Sequence, residues 1–418
     1  MVALGDAAEV STGTMFALAT AFSEALHPDR AAEALATEIE RALPGGVAGA
    51  LVLSTSASGS AGREAGALLS DRWADGHLAG TAFEGLLAHG RVHRDRPAML
   101  AIAWGPAERA PLPFLLESDV FAALGEDRLE EAAHLLEENR GDEGFGPDDL
   151  VLLFPDSIAG HGLESGLAWL GPRLGNPAFL GAAASGAAHA GAPAWADDSQ
   201  AEGGTVGLVV PGGAGPARAR LGSAGATRFA SPWLEIGDCR SRWVDELDGE
   251  PALDWVRRQL GLTDGDPVEP HLDRLMVRLR TAPEPAETAA ASPDEDDRDY
   301  VEHYVVGLDD RRGSISIPGA FGRGEQLAFA LPDPAHARSA LRLAVDGLAD
   351  APLLLQFACR ARDASLHGDA DLEGALVQQA AGSRAAVGTV APFQIGPDAR
   401  GIARQLVHTT VLAALGSS

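Results

Sequence analysis

Leu353-Leu354-Leu355-Gln356-Phe357-Ala358, followed by Cys359-Arg360-Ala361-Arg362-Asp363, decides the fold of this chain. An apolar run of this length, with one polar member, has the composition of a strand buried on both faces. Its end carries a thiol and two guanidiniums. A helical segment is predicted near residues 372–379, then come Val387-Gly388-Thr389-Val390, the turn Gln394-Ile395-Gly396-Pro397, and Leu406-Val407-His408-Thr409-Thr410-Val411-Leu412. Strand ends and turns present polar groups to a ligand while the strands hold them still. Cys359, Arg362, Gln394 and His408 are therefore candidate ligand-binding residues. Arg362 is expected to pair a ligand carboxylate or phosphate, with Gln394 and His408 fixing orientation.

The same order recurs twice upstream. Leu51-Val52-Leu53 precedes Ala79-Gly80-Thr81 and then Met99-Leu100-Ala101-Ile102-Ala103-Trp104. Val151-Leu152-Leu153-Phe154 precedes Leu180-Gly181-Ala182 and then Val206-Gly207-Leu208-Val209-Val210. Each block reads as strand, helix, a Gly-marked strand start, a hairpin-like return and another strand. The repeat predicts an α/β, two-domain protein built of recurring strand-helix-strand units, with mixed sheets covered by helices. Residues 15–43 read as two helices broken at His27-Pro28-Asp29, and residues 251–260 and 334–347 as further helices. The acidic segment 196–203 reads as a solvated loop and residues 1–14 as a frayed arm. Residues 281–298, acidic, Pro-rich and without large apolar side chains, read as a disordered insertion.

The chain has 418 residues, enough for two or three domains, and a formal charge of −28 from 60 acidic and 32 basic residues. It contains no lysine, so every basic residue is arginine. An acidic surface argues against nucleic acid and anionic membranes as partners, because neutralising phosphates needs a basic patch. The missing lysines fit either a GC-rich genome or a salt-rich cytoplasm. No run approaches the ~18 apolar residues of a membrane span, and Met1-Val2-Ala3-Leu4-Gly5-Asp6 lacks a basic leader region. A cytoplasmic location is expected, with Cys239 and Cys359 as reduced thiols.

These stretches also resemble a known family. The strand ending in Cys359-Arg360-Ala361-Arg362, the turn Gln394-Ile395-Gly396-Pro397 and Leu406-Val407-His408-Thr409 are similar to the C-terminal half of FIST domains. Gly80-Thr81-Ala82-Phe83-Glu84-Gly85, Gly181-Ala182-Ala183-Ala184-Ser185-Gly186 and Gly203-Gly204-Thr205-Val206-Gly207-Leu208 resemble motifs of its N-terminal half. Glu246-Leu247-Asp248-Gly249-Glu250-Pro251-Ala252-Leu253 resembles the signature that joins the halves. The sequence departs from the family at Phe393-Gln394 (usually Gly-Glu), at Asp363 and at Val407, while Thr81 and Ser223 stand where thiols are common. The resemblance implies a FIST N-terminal domain over 15–237 and a C-terminal domain over 238–418. It further implies an intracellular sensory protein that binds a small ligand, such as an amino acid or another small anion, and signals through a separate partner protein. Ser185 and Thr81 would complete the ligand site from the N-terminal half. A haem-binding nitric oxide sensor is the alternative within the family.

Other constellations are weaker. Gly203-Gly204-Thr205-Val206-Gly207 and Gly212-Gly213-Ala214-Gly215 lack the Lys-Ser/Thr that follows a phosphate loop. Ser185 lacks the Gly-x-Ser-x-Gly context of a nucleophile elbow. The twelve histidines include no His-Glu-x-x-His run. His303, His367 and His408 remain the candidates for a haem ligand. Cys359 and His408 are the one pair that suggests a thiol-dependent enzyme. The favoured expectation is a binding protein with no catalytic residues, no metal and no obligatory cofactor.

Overall fold

The computed structural model describes residues 17–106, 110–116, 120–121, 126–140, 144–157, 162–186, 191–212, 220–263, 265–280, 300–318, 321–348, 351–398 and 401–416. The expected arm (1–14) and insertion (281–298) lie outside the described residues. Among the described residues, three sheets of six strands and one of nine, covered by helices, make an α/β protein of two domains.

The three six-stranded sheets share one plan. The first runs Leu18–Ser23, Met99–Trp104, Gly49–Thr55, His77–Phe83, Pro193–Ala196, Ser199–Glu202. The second runs Leu112–Leu116, Thr205–Val210, Leu150–Pro155, Ala178–Ala182, Gln394–Pro397, Ala403–Leu406. The third runs Arg220–Gly225, Thr409–Leu415, Leu353–Cys359, Ala385–Ala391, Gly85–Ala88, Arg91–Arg94. In each, the third and fourth strands are the parallel pair, joined by the helix Ser60–Arg72, Leu163–Arg173 or Leu372–Ala381. Parallel neighbours need such a crossover.

The register makes the repeat explicit. Gly80 pairs with Val52, Gly181 with Leu153 and Gly388 with Gln356. A Cβ on these glycines would lie 2.5, 1.8 and 1.7 Å from the partner's carbonyl oxygen. Glycine here permits close strand approach.

The last two strands of every sheet come from another unit. The first unit lends the hairpin Gly85–Ala88/Arg91–Arg94 to the third sheet, and the second lends Pro193–Ala196/Ser199–Glu202 to the first. The third lends Gln394–Pro397/Ala403–Leu406 to the second, closing the cycle. The inner faces meet in one apolar core, where Phe83 packs edge-on against Phe154 (5.5 Å) and Phe154 against Phe357 (6.0 Å).

The described residues between 227 and 332 interrupt the third unit after its outer strand and form the second domain. Its nine-stranded sheet and the helix Ala252–Leu260 enclose a separate core around Leu234, Val244, Leu253, Val277 and Phe329. The domain leaves and returns at one point, since the Asp333 amide donates to the Ala226 carbonyl (2.8 Å). Asp333 then caps the helix Pro334–Asp346, accepting from the amides of Ala335 and His336.

Several sequence expectations change. Of the stretch 15–43, the described residues 17–43 hold one helix, Pro28–Ala42, preceded by the strand Leu18–Ser23. The Ala-rich strand segment carries no strong local preference, and antiparallel pairing with Met99–Trp104 decides it. The acidic segment 196–203 is largely a hairpin strand, turned at Asp197 with φ 46°. Asp197 also accepts from the Leu78 amide (2.8 Å), which ties that turn to the first sheet. The motif 246–253, expected to join two halves, lies inside the second domain. Its Asp248-Gly249 pair forms a tight turn with φ 49° and 80°. The expected boundary at 237/238 falls within the strand Leu234–Arg240.

Candidate functional site

The strand Leu353–Cys359 is buried throughout, so alternate residues face opposite layers: Leu355 and Phe357 the common core, Leu354 the helices. Cys359 continues the core-facing set. Its thiol donates to the Pro392 carbonyl (3.5 Å), and the amides of Ala361 and His408 are directed at the sulfur. Burial raises the thiol pKa above its ordinary value, against the opposing effect of those amides and of Arg362 and Arg360. Cys359 is a protonated thiol at neutral pH.

Tyr304, from the second domain's edge strand Val301–Tyr304, covers this end of the strand. Its side chain contacts the Cys359 thiol, and its ring lies 5.2 Å from the His408 ring. Burial, and secondly Cys359, push the phenol's pKa up, so it stays neutral. His408 opens the last strand from a left-handed backbone, φ 49°. Its side chain is buried, and neither ring nitrogen has a partner among the described residues. Burial, and secondarily Arg362, lower its pKa while Glu302 opposes, which leaves a neutral imidazole. Among the described residues the Cys359 thiol meets His408 through its backbone amide and not through its ring, so the thiol-imidazole pair of an enzyme is not assembled.

Arg362 departs from expectation. It is 2% exposed, not on an outer turn. Its guanidinium grips Glu373 (Nη2–Oε1 2.6 Å, Nε–Oε1 2.9 Å) and donates to the carbonyls of Ala224 (2.8 Å), His408 (3.1 Å) and Ala337 (3.4 Å). Glu373 in turn accepts from Thr410 Oγ1 (2.7 Å) and His367 Nε2 (2.8 Å). Burial alone would raise the Glu373 carboxyl; Arg362 and the hydrogen bonds hold it below its usual range. The guanidinium is a clamp that fixes the His408 backbone. Its donors are already engaged, which leaves none for a ligand anion.

Gln394 is fully buried in the borrowed hairpin beside Ala182. Its amide donates to the Ala391 carbonyl (3.2 Å), and Oε1 has no partner among the described residues. Ser185 continues from the strand Ala178–Ala182 and anchors its amide on Ala82 O (2.8 Å), next to Thr81. The hydroxyls of Ser185 and Thr81 are buried and likewise without partners among the described residues. A backbone path joins all of these: Cys359 bonds Pro392, the Ala183 amide bonds Phe393 O, and Gln394 follows. No protein-family model matches the sequence, and no curated protein does.

Thr389 belongs with this set and was missed. It stands one residue after Gly388, as Thr81 does after Gly80, and its hydroxyl is also buried and unpartnered among the described residues. The repeat itself carried that signal. Tyr304 had none, because only folding brings the inserted domain to Cys359. Three carboxylates that follow Cys359 are engaged within the protein: Asp363 caps Ala364–His367 and pairs Arg94 (2.8 Å), Asp371 accepts from the Val92 amide (2.7 Å), and Asp369 from the Asp371 amide (2.9 Å).

Among the described residues, no cluster of three or more His, Cys, Asp or Glu is arranged to hold a metal ion, and no helix is long and apolar enough to cross a membrane. For haem, His408 supplies a neutral, unpartnered imidazole, but Tyr304 lies against it where a porphyrin would need a slot. The residues in this arrangement do not fit that group.

Proposed function

We propose that this chain is a cytoplasmic small-molecule sensor of the FIST type, which binds its ligand beside Cys359, Gln394, His408, Ser185 and Thr81 and signals through a separate protein. One observation carries the reading. Buried polar atoms normally find partners, yet His408 Nδ1 and Nε2, Gln394 Oε1, Ser185 Oγ and Thr81 Oγ1 have none among the described residues. They stand along a single backbone path where the three units and the second domain meet. A ligand that completed those hydrogen bonds would be held by strand ends and reported by displacement of Tyr304 and its domain. The protonated thiol and neutral imidazole favour binding over nucleophilic catalysis. Arg362, clamped by Glu373, acts as support for His408.

Thermal unfolding of the full chain against amino acids, nucleotides and haem tests this, because a ligand that binds only the folded state raises the midpoint. The expected result is a rise that His408→Ala abolishes. A Soret band after haem reconstitution, lost in the same variant, would favour the haem sensor. Turnover lost in Cys359→Ser would favour an enzyme.

A further inference from the structure

Ion pairs made within the protein hold the charged side chains that flank the site. Arg360 pairs Glu84 (2.7 Å), and Arg362 is spent on Glu373 and three carbonyls. Glu373 is held by Arg362, His367 and Thr410, Asp363 by Arg94, and Glu302 by Arg278 (2.8 Å). The unpartnered side chains of the proposed site itself are Gln394, His408, Ser185 and Thr81, and their hydrogen-bonding roles are specific. Gln394 Oε1 can only accept; a neutral His408 ring donates from one nitrogen and accepts at the other; Ser185 and Thr81 hydroxyls do either. All four side chains are more than nine-tenths buried.

We infer that the ligand of this site is an uncharged molecule bearing a carboxamide, and that the corresponding carboxylate is refused. This rests on the binding reading above and names its ligand class. An amide N–H supplies the donor that Gln394 Oε1 needs, while its carbonyl accepts from His408 or a hydroxyl. A carboxylate has no donor, would set an oxygen against Gln394 Oε1, and would bury a charge without a counter-cation.

The test is thermal unfolding and calorimetric titration of the full chain at neutral pH with matched pairs: acetamide and acetate, nicotinamide and nicotinate, benzamide and benzoate. The expected result is a midpoint raised by at least one amide, with a dissociation constant at least about tenfold below that of its acid. The rise should be lost in His408→Ala and weakened in the milder Ser185→Ala. An acid that stabilises as well as its amide, through the same residues, would overturn the ligand class and leave the site. If no pair acts but an amino acid, a nucleotide or haem does, the class falls and the sensor reading stands. If nothing acts in either set, both fall.

Discussion

At the scale of single residues, Arg362 shows how one buried guanidinium can hold several elements in place at once. It ties the helix Leu372–Ala381 to the outer strand and to the turn carrying His408. Arg362→Ala leaves Glu373 charged and buried, so it should cost about 3–5 kcal/mol in urea unfolding. Replacing both partners, Arg362→Met with Glu373→Leu, should cost much less than the single change. Equal losses would mean the ion pair has little part in stability. The histidines predict a pH dependence. Burial pushes His303 from 6.5 down to about 4, with Glu302 opposing, and His408 is lowered as well. Between those values the unfolded chain binds protons that the folded chain refuses, so stability falls as pH drops from about 6.5 towards 4. His303→Asn should flatten that slope in unfolding curves taken across the window; an unchanged slope would assign it to other groups.

At the scale of elements, the recurrent glycine is where strand geometry and sequence coincide. Gly181 and Gly388 sit where a Cβ would meet a partner carbonyl at 1.8 and 1.7 Å. Alanine at either position must push two parallel strands apart, at a cost of about 1–3 kcal/mol or more. Gly225, with nothing within 4 Å of its would-be Cβ and no positive φ, should accept alanine within about 0.5 kcal/mol. Urea midpoints of the three variants check this; a Gly225→Ala loss matching the others would break the argument. The borrowed hairpins make the units interdependent, since each sheet is completed by a unit far away in sequence.

At the scale of the whole molecule, the second domain is separable in chain terms but packs on the body through Tyr304. The hydrogen bond between Asp333 and Ala226 brings its two ends together. Joining Ala226 directly to Asp333 should leave the three-unit body folded, read as a retained cooperative transition by circular dichroism. That deletion removes Cys239 and Tyr304, leaving Cys359 as the one cysteine. Iodoacetamide should then modify Cys359 faster than in the full chain, where it is 1% exposed; an unchanged rate would show that Tyr304 does not cover it. The charge of −28 predicts a second whole-molecule property. Molar potassium chloride should raise the unfolding midpoint by screening self-repulsion. A flat or falling midpoint would leave GC bias as the account of the absent lysines.

The sequence by itself determined the strands buried on both faces, the glycine that follows each crossover helix, and hence the repeated α/β unit. Those signals are local: apolar runs, periodicity and one small residue at a fixed place. Cys359, Gln394 and His408 were legible for the same reason, standing at strand ends and turns. The tertiary structure decided the rest. It alone set which sheet each hairpin joins, because a hairpin's own sequence fixes its turn but not its distant partner. It alone put Tyr304 on Cys359 and His408, across an inserted domain. The role of Arg362 was also out of local reach. A guanidinium beside a strand end reads equally as a ligand anchor or a clamp, and the choice rests on Glu373, Ala224 and Ala337, which only packing brings within reach.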